Sequence, residues 1–154
     1  MDEQEQYRKK KQDPSLKLFV VLSKAQRAIA DLVKDDIQSH GLNTTEFGVL
    51  ELLYHEGDQP LQKIGEKILL ASGSITYVVD KLEKKEYLRR VPSPNDRRIT
   101  FAAITNKGEN LLHGIFPEHW KQIESITGGL SDEEKLQAID LLKQLGMHAE
   151  QQKK

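Results

Sequence analysis

The sequence predicts a mainly α fold of six helices carrying one two-stranded β-hairpin, and three observations predict it. Apolar residues recur at three- and four-residue spacing through long segments at both ends of the chain. Two shorter segments, 61–70 and 72–88, follow the same period and meet at Ala71-Ser72. Directly after them, in VPSPNDRRITFAAIT (residues 91–105), two prolines and an Asn-Asp pair form a turn between runs suited to strands. Two short helices joined by a tight turn form a helix-turn-helix. With a β-hairpin following at once, the unit is a winged helix-turn-helix, flanked by a helical region built from the two ends.

At 154 residues the chain has room for one domain, 1–154, with a modest core. Its 37% hydrophobic and 31% charged residues suit a soluble protein, and no apolar run approaches the ~20 residues of a membrane span. The N-terminal MDEQEQYRKKKQD has no apolar signal core, so a cytoplasmic location is expected. The absence of cysteine removes disulfides, thiolate metal sites and thiol redox sensing together. The net charge of −1 conceals a division along the chain. Residues 1–59 hold 8 Lys/Arg against 11 Asp/Glu, residues 60–108 hold 10 against 5, and residues 109–154 hold 5 against 8. A cationic middle between acidic ends points to a polyanion bound by the middle.

The elements follow in order. Residues 14–40 read as one long helix, with Pro14 suited to its first turn and Gly41 to its end. Its stripe of Leu18, Leu22, Ala25, Ile29, Leu32 and Val33 is more than so small a chain can bury, which implies a partner helix. Asn43 and Glu46 give a capping-box start to the second helix, and Gly57 stops it. After a turn at Asp58-Gln59-Pro60 comes the third helix, 61–70, and then the fourth, with Ser72 as N-cap. The strands are 87–91 and 99–104. Thr105 begins the fifth helix, which Pro117 should kink, and Gly128-Gly129 ends it. Ser131 and Glu134 box the start of the sixth, whose stripe is Leu136, Ile139, Leu142 and Leu145.

Within the fourth helix, Ile75, Val78, Val79 and Leu82 make the buried face. The opposite face carries Gly73, Thr76, Tyr77, Asp80 and Lys84, with Ser74 and Lys81 at its flank. Small hydroxyl side chains at a helix start, followed by Tyr and Lys, suit a DNA major groove. The same pattern fits an ordinary solvated face, so the hairpin decides. Pro92 and Pro94 stiffen its tip, which reduces the entropy lost on docking. Arg97 and Arg98 on a stiff tip fit a narrow A·T-rich minor groove.

The stretches NTTEFGVLELL, SGSITYVVDKLEKKEYLRR and PSPNDRRITFAAITNKG resemble the multiple-antibiotic-resistance regulator (MarR) family, over about Leu16 to Leu145. The last is the most specific, resembling the family's wing signature of Asp-x-Arg, a strand, Leu/Ile-Thr and Gly. The resemblance implies a homodimer intertwined through 14–40 and 106–150, with 42–105 as the DNA-binding lobe. It implies a near-palindromic double-stranded DNA operator, and a small anionic or phenolic effector that relieves repression. It assigns base reading to Ser72, Ser74, Thr76 and Tyr77, and phosphates to Lys81 and Lys84. The wing is assigned Asn95, Asp96, Arg97 and Arg98, with either Asp80 or Asp96 orienting Arg98. The effector cleft would be lined from His40, Phe47, Leu50, Tyr54 and His113. One departure stands out: where the family has Gly in a Lys-Lys-Gly helix end, this chain has Glu86, so a left-handed backbone there would be strained.

The wording SLKLFVVLSKA, LELLYHEGDQPLQKIG and LLASGSITYVVDKLEKK looks closest to the branch that responds to quinones and hydroquinones. Without a thiol, such sensing would have to be non-covalent. Enzyme readings have no support: there is no phosphate loop, nucleophile elbow or His-Glu-x-x-His, so no catalytic residue and no cofactor is assigned. Some relatives sense zinc with His and acidic side chains in the regions of His40 and His113. Here Pro117 stands four residues after His113 where a second His would be needed, and no metal ligand is assigned. The alternatives to an effector-released DNA-binding repressor are a metal-responsive regulator and a winged-helix protein-interaction module.

Overall fold

The computed structural model describes residues 2–68 and 75–153. Its elements are α1 (Glu3–Lys11), α2 (Pro14–Ser39), α3 (Thr44–Glu56), β1 (Gln59–Pro60) and α4 (Leu61–Lys67). They continue with α5 (Ile75–Lys84), β2 (Leu88–Pro92), β3 (Thr100–Ile104), α6 (Asn106–Ile126) and α7 (Asp132–Gln151). The class is the expected mainly α winged helix, with two additions.

The first addition is α1, which raises the described helices to seven. It has no apolar period and buries nothing. Its support is electrostatic: Asp2 caps it, Glu3 and Glu5 sit in its first turn, and Arg8 to Lys11 fill its last. That order complements the helix dipole. The second addition is β1, where a turn was expected. Gln59 and Pro60 pair antiparallel with Ala102 and Phe101, giving a three-stranded sheet of order β1-β3-β2. A two-residue strand closing on a distant partner leaves no alternation to read. The helix expected over 61–70 ends at Lys67, and Ile68 turns extended with its side chain in the core. The N-cap expected at Ser72, and Ser74 beside it, lie outside the described residues.

The core belongs to the middle of the chain. Val49, Leu50 and Leu53 of α3, Ile64 of α4, Val79 and Leu82 of α5, and Leu88 of β2 are all 0–1% exposed and form one cluster. Both capping boxes form as expected, at Asn43/Glu46 and Ser131/Glu134. Glu46 is itself buried, and a buried carboxylate needs partners. It accepts from the Asn43 N–H at 3.1 Å, and the Lys81 and Lys85 ammonium groups stand 3.9 and 3.5 Å from it.

Two backbone features hold the wing against this core. α5 closes in a Schellman motif, in which the N–H of Tyr87 donates to the Leu82 carbonyl and that of Glu86 to Glu83. Glu86 takes the left-handed position, φ +66°, as its replacement of a glycine foretold. Next, the Thr105 hydroxyl donates to the Glu86 carbonyl at 2.6 Å and accepts from the Gly108 N–H at 3.1 Å. That draws α6 so close to β2 that a Cβ on Gly108 would lie 2.2 Å from the Tyr87 carbonyl oxygen. The glycine of NKG is therefore a packing requirement.

The helical ends behave differently. Ile37 is the one buried residue of α2, and α7 buries none. α6 runs through Pro117 as a single helix and buries Gly108, Leu112 and Ile115 in its first half. No described helix is long and apolar enough to cross a membrane.

Candidate nucleic-acid interface and the adjoining cleft

The face of α5 away from the core holds Thr76, Tyr77, Asp80 and Lys84, all exposed, with Tyr77 at 67%. The buried face holds Val78, Val79 and Leu82, so the helical wheel separates the two faces as the sequence does. Lys84 is open to solvent, whereas Lys81, assigned with it to phosphates, leans toward Glu46.

The wing pairs Leu88 with Ile104 at its base and Pro92 with Thr100 at its end. Its tip, residues 93–99, is tied internally rather than loose. The Ser93 N–H donates to the Ile99 carbonyl at 2.9 Å, and the Ser93 hydroxyl accepts from the N–H groups of Asn95 and Asp96 at 3.3 Å each. Asp96 then grips Arg98 three times. It accepts from the backbone N–H at 3.0 Å, from Nε at 3.1 Å and from Nη2 at 3.2 Å. These contacts, the side-chain ones foremost and the backbone one next, hold the Asp96 carboxyl below the ordinary aspartate range. The Arg98 side chain nonetheless remains 89% exposed, a guanidinium fixed in direction and open to a ligand. Arg97 and Asn95 are exposed beside it.

Of the two acids that the sequence left open as partners for Arg98, Asp96 is the one in contact. Asp80 is engaged elsewhere, by Arg90 of β2. Arg90 Nη2 donates to Asp80 at 2.5 Å, Nη1 donates to Glu83 at 2.7 Å, and the Arg90 backbone N–H donates to the other Glu83 oxygen at 3.0 Å. Asp80 first, and Glu83 with it, raise the guanidinium's already high pKa against the opposing cost of burial. Sequence reading missed Arg90, although an arginine next to the wing with two acids at i and i+3 on α5 was there to be matched.

Between α3 and α6 lies a cleft of about 360 Å³. Phe47 and Tyr54 of α3 and His113 of α6, three of the residues expected to take an effector, line it. The Tyr54 hydroxyl and His113 Nε2 are 2.8 Å apart, with the rings edge to face at 5.4 Å. Leu50 and His40, expected there, are not in the lining. Leu50 is fully buried in the core one helical step away. His40 lies near Asp36 (3.6 Å) and Glu118 (3.9 Å). Asp36 is itself bonded to His119 at 2.7 Å, and the His119 ring packs 4.8 Å from Phe47. The sequence reading also missed Glu51, His55, Leu112, Phe116 and Pro117, which complete the walls. Helical period would have found them, since 47, 51, 54 and 55 share one face of α3 and 112, 113, 116 and 117 one face of α6. The two histidines considered for a metal have separate partners, and among the described residues no group of three or more His, Asp or Glu is arranged to hold an ion.

The chain is similar to known proteins over most of its length. A sequence model of the MarR family matches residues 42–100, the span of the winged lobe. The HTH-type transcriptional regulator MhqR of Bacillus subtilis is 60% identical over 139 residues, covering 90% of this chain and 96% of that protein. Among solved structures, AbsC, a MarR family transcriptional regulator from Streptomyces coelicolor, superposes with a TM-score of 0.79 at 17% identity, covering 91% of this chain and 97% of that one. A mutant MarR from E. coli complexed with operator DNA superposes at 0.74 and 18% identity, covering 84% and 94%. The two structures share the fold, and the relatives so matched are regulators rather than enzymes. On the strength of the MhqR identity across nearly all of both chains, this protein belongs to the MarR family of transcriptional regulators.

Proposed function

We propose that this chain is a cytoplasmic repressor that binds a pseudo-palindromic operator as a homodimer and releases it on binding a small phenolic or quinone-like molecule. The observation that carries the reading is the Arg98 guanidinium, aimed by three bonds to Asp96 yet 89% exposed at the tip of the wing. Pre-orientation lowers the entropy cost of docking. A cation so held suits the enhanced negative potential of a narrow minor groove. Thr76 and Tyr77, with Ser72 and Ser74 ahead of them in sequence, serve the major groove, and Lys84 the phosphates. Residues 42–105 form the reading lobe, and 14–40 with 106–150 form the dimerisation region. The cleft supports the effector: aromatic walls receive a flat ring, and the Tyr54–His113 pair offers a hydroxyl and an imidazole to a phenolic oxygen. With no cysteine in the chain, the capture is non-covalent.

The test selects duplexes from a random library and titrates the winner. Binding should require two half-sites about one helical turn (~34–36 Å) apart. Affinity should fall roughly 10³-fold between 50 and 200 mM salt if about six phosphates are neutralised. Arg98→Ala should cost ~1.5–3 kcal/mol per half-site with the fold intact by circular dichroism. The loss should fall at A·T-rich flanks, whereas Tyr77→Ala should change the preferred central bases. Equal affinity for random DNA with no salt dependence would favour the protein-interaction module instead.

A further inference from the structure

We propose that Arg90 is a positioning residue that fixes the wing to α5 and thereby sets the distance between what the helix reads and what the wing reads. The proposal rests on the DNA-reading function above and goes beyond it, because Arg90 itself need not touch DNA.

The geometry is that of a brace rather than a surface ion pair. One residue at the midpoint of β2 makes three bonds to two carboxylates one turn apart on α5. Both Glu83 oxygens are consumed by Arg90, one by its backbone and one by its side chain. The Arg90 side chain is 28% exposed, between helix and hairpin. Its fork is what allows two carboxylates to be held at once; an ammonium is a single point charge and cannot span them. Below the brace, β2 is anchored by the buried Leu88. Above it, the only ties within the tip are to the tip itself. β1 ties the hairpin to the lobe through β3, at Ala102 and Phe101, and the Arg90 contacts tie β2 to α5, so they fix the angle between the hairpin and that helix. They also neutralise Asp80, a carboxylate on the groove-facing side of α5 that would otherwise repel phosphate. Partly exposed pairs contribute little to stability, so the consequence is expected in geometry rather than in folding.

The experiment uses the full-length protein and operators in which zero, one or two base pairs are inserted between the core read by α5 and the A·T flank read by the wing. Wild type should lose at least about tenfold in affinity for a one-pair insertion, which displaces the flank by ~3.4 Å and rotates it. Arg90→Lys, which keeps the charge, should lose less than threefold for the same insertion. The triple variant Arg90→Ala, Asp80→Asn, Glu83→Gln removes the charges together. Its affinity should recover relative to Arg90→Ala alone while its spacing preference stays relaxed, an outcome that neither lost charge nor lost stability produces. If Arg90→Ala does not fold, the Arg90→Lys comparison decides alone. A wild-type spacing preference retained in Arg90→Lys and in the triple variant overturns the proposal and leaves DNA reading standing. Failure of wild type to bind any duplex overturns both.

Discussion

The winged lobe and the helical ends of this chain are made from similar residues and bury them very differently. Between α3 and β3 the large apolar side chains are inside, and Tyr54 and Tyr77 are the exposed exceptions among the described residues. In α2 the reverse holds: Leu16, Leu18, Phe19, Val21, Leu22, Ile29 and Leu32 are open. So are Phe116 and Trp120 of α6, and Leu136, Ile139, Leu142 and Leu145 of α7. A monomer rarely leaves so many large apolar side chains open without a partner to cover them. The lobe completes its core within one chain, whereas the ends leave most of their large apolar side chains open. That division supports the proposed dimer, in which a second copy would cover the open stripes of the ends.

The hardest test of this contrast is to charge the open stripe. Ile139→Asp with Leu142→Asp should leave the lobe intact, because α7 buries nothing in the protomer. It should weaken the dimer by about 4 kcal/mol or more, close to a thousandfold in dissociation constant. Sedimentation equilibrium measures the constant, and hydrogen exchange of α3 and α5 amides reports the lobe. A dimer of unchanged affinity would mean that α7 faces solvent and the dimer contact is elsewhere.

The lobe can be broken from within by the opposite change, an added methyl. In Gly108→Ala the new Cβ meets the Tyr87 carbonyl oxygen at 2.2 Å and Ile104 Cγ1 at 2.8 Å. Backbone on one side cannot yield as a side chain would, so α6 or the base of the wing must shift. The expected cost is ~2–4 kcal/mol, read as a lower urea midpoint at fixed protomer concentration, since dimer stability depends on it. Unchanged stability would show that the junction is slack.

How legible each region was follows the same division. The core helices were readable because burial imposes period: Ile75, Val78, Val79 and Leu82 fall on the inner face, as their spacing requires. The wing was readable because its turn chemistry is local, within Ser93 to Arg98. α1 was missed because charge order, not apolar period, supports it. β1 was missed because its partner is some forty residues away, at Phe101 and Ala102. In the cleft, Leu50 and Glu51 are neighbours in sequence on different faces of α3: Leu50 is fully buried and Glu51 lines the opening, a difference that only packing fixes. The Arg90 contacts were hidden for another reason: which cation pairs with Asp80 depends on strand register, and Arg89, Arg90, Arg97 and Arg98 all compete on paper.

The smallest expected effect lies where lobe and wing join. Glu86 holds a left-handed backbone at φ +66°, a conformation that costs a side-chain-bearing residue ~1–2 kcal/mol and glycine almost nothing. Its carbonyl accepts from Thr105, and a change of side chain leaves that bond in place. The side chain itself is exposed and comes only within 4.0 Å of Lys107. Glu86→Gly should therefore stabilise the lobe, by less than the full strain because glycine also loosens the unfolded chain by ~0.4–1 kcal/mol. The expected net gain is about 0.5 kcal/mol. Glu86→Ala separates the causes, since it removes the carboxylate but keeps the strained geometry and should give no gain. If both substitutions stabilise equally, the effect is the loss of a negative charge at the C-terminal end of α5, where the helix dipole disfavours it, and the backbone at this helix end carries no strain worth relieving.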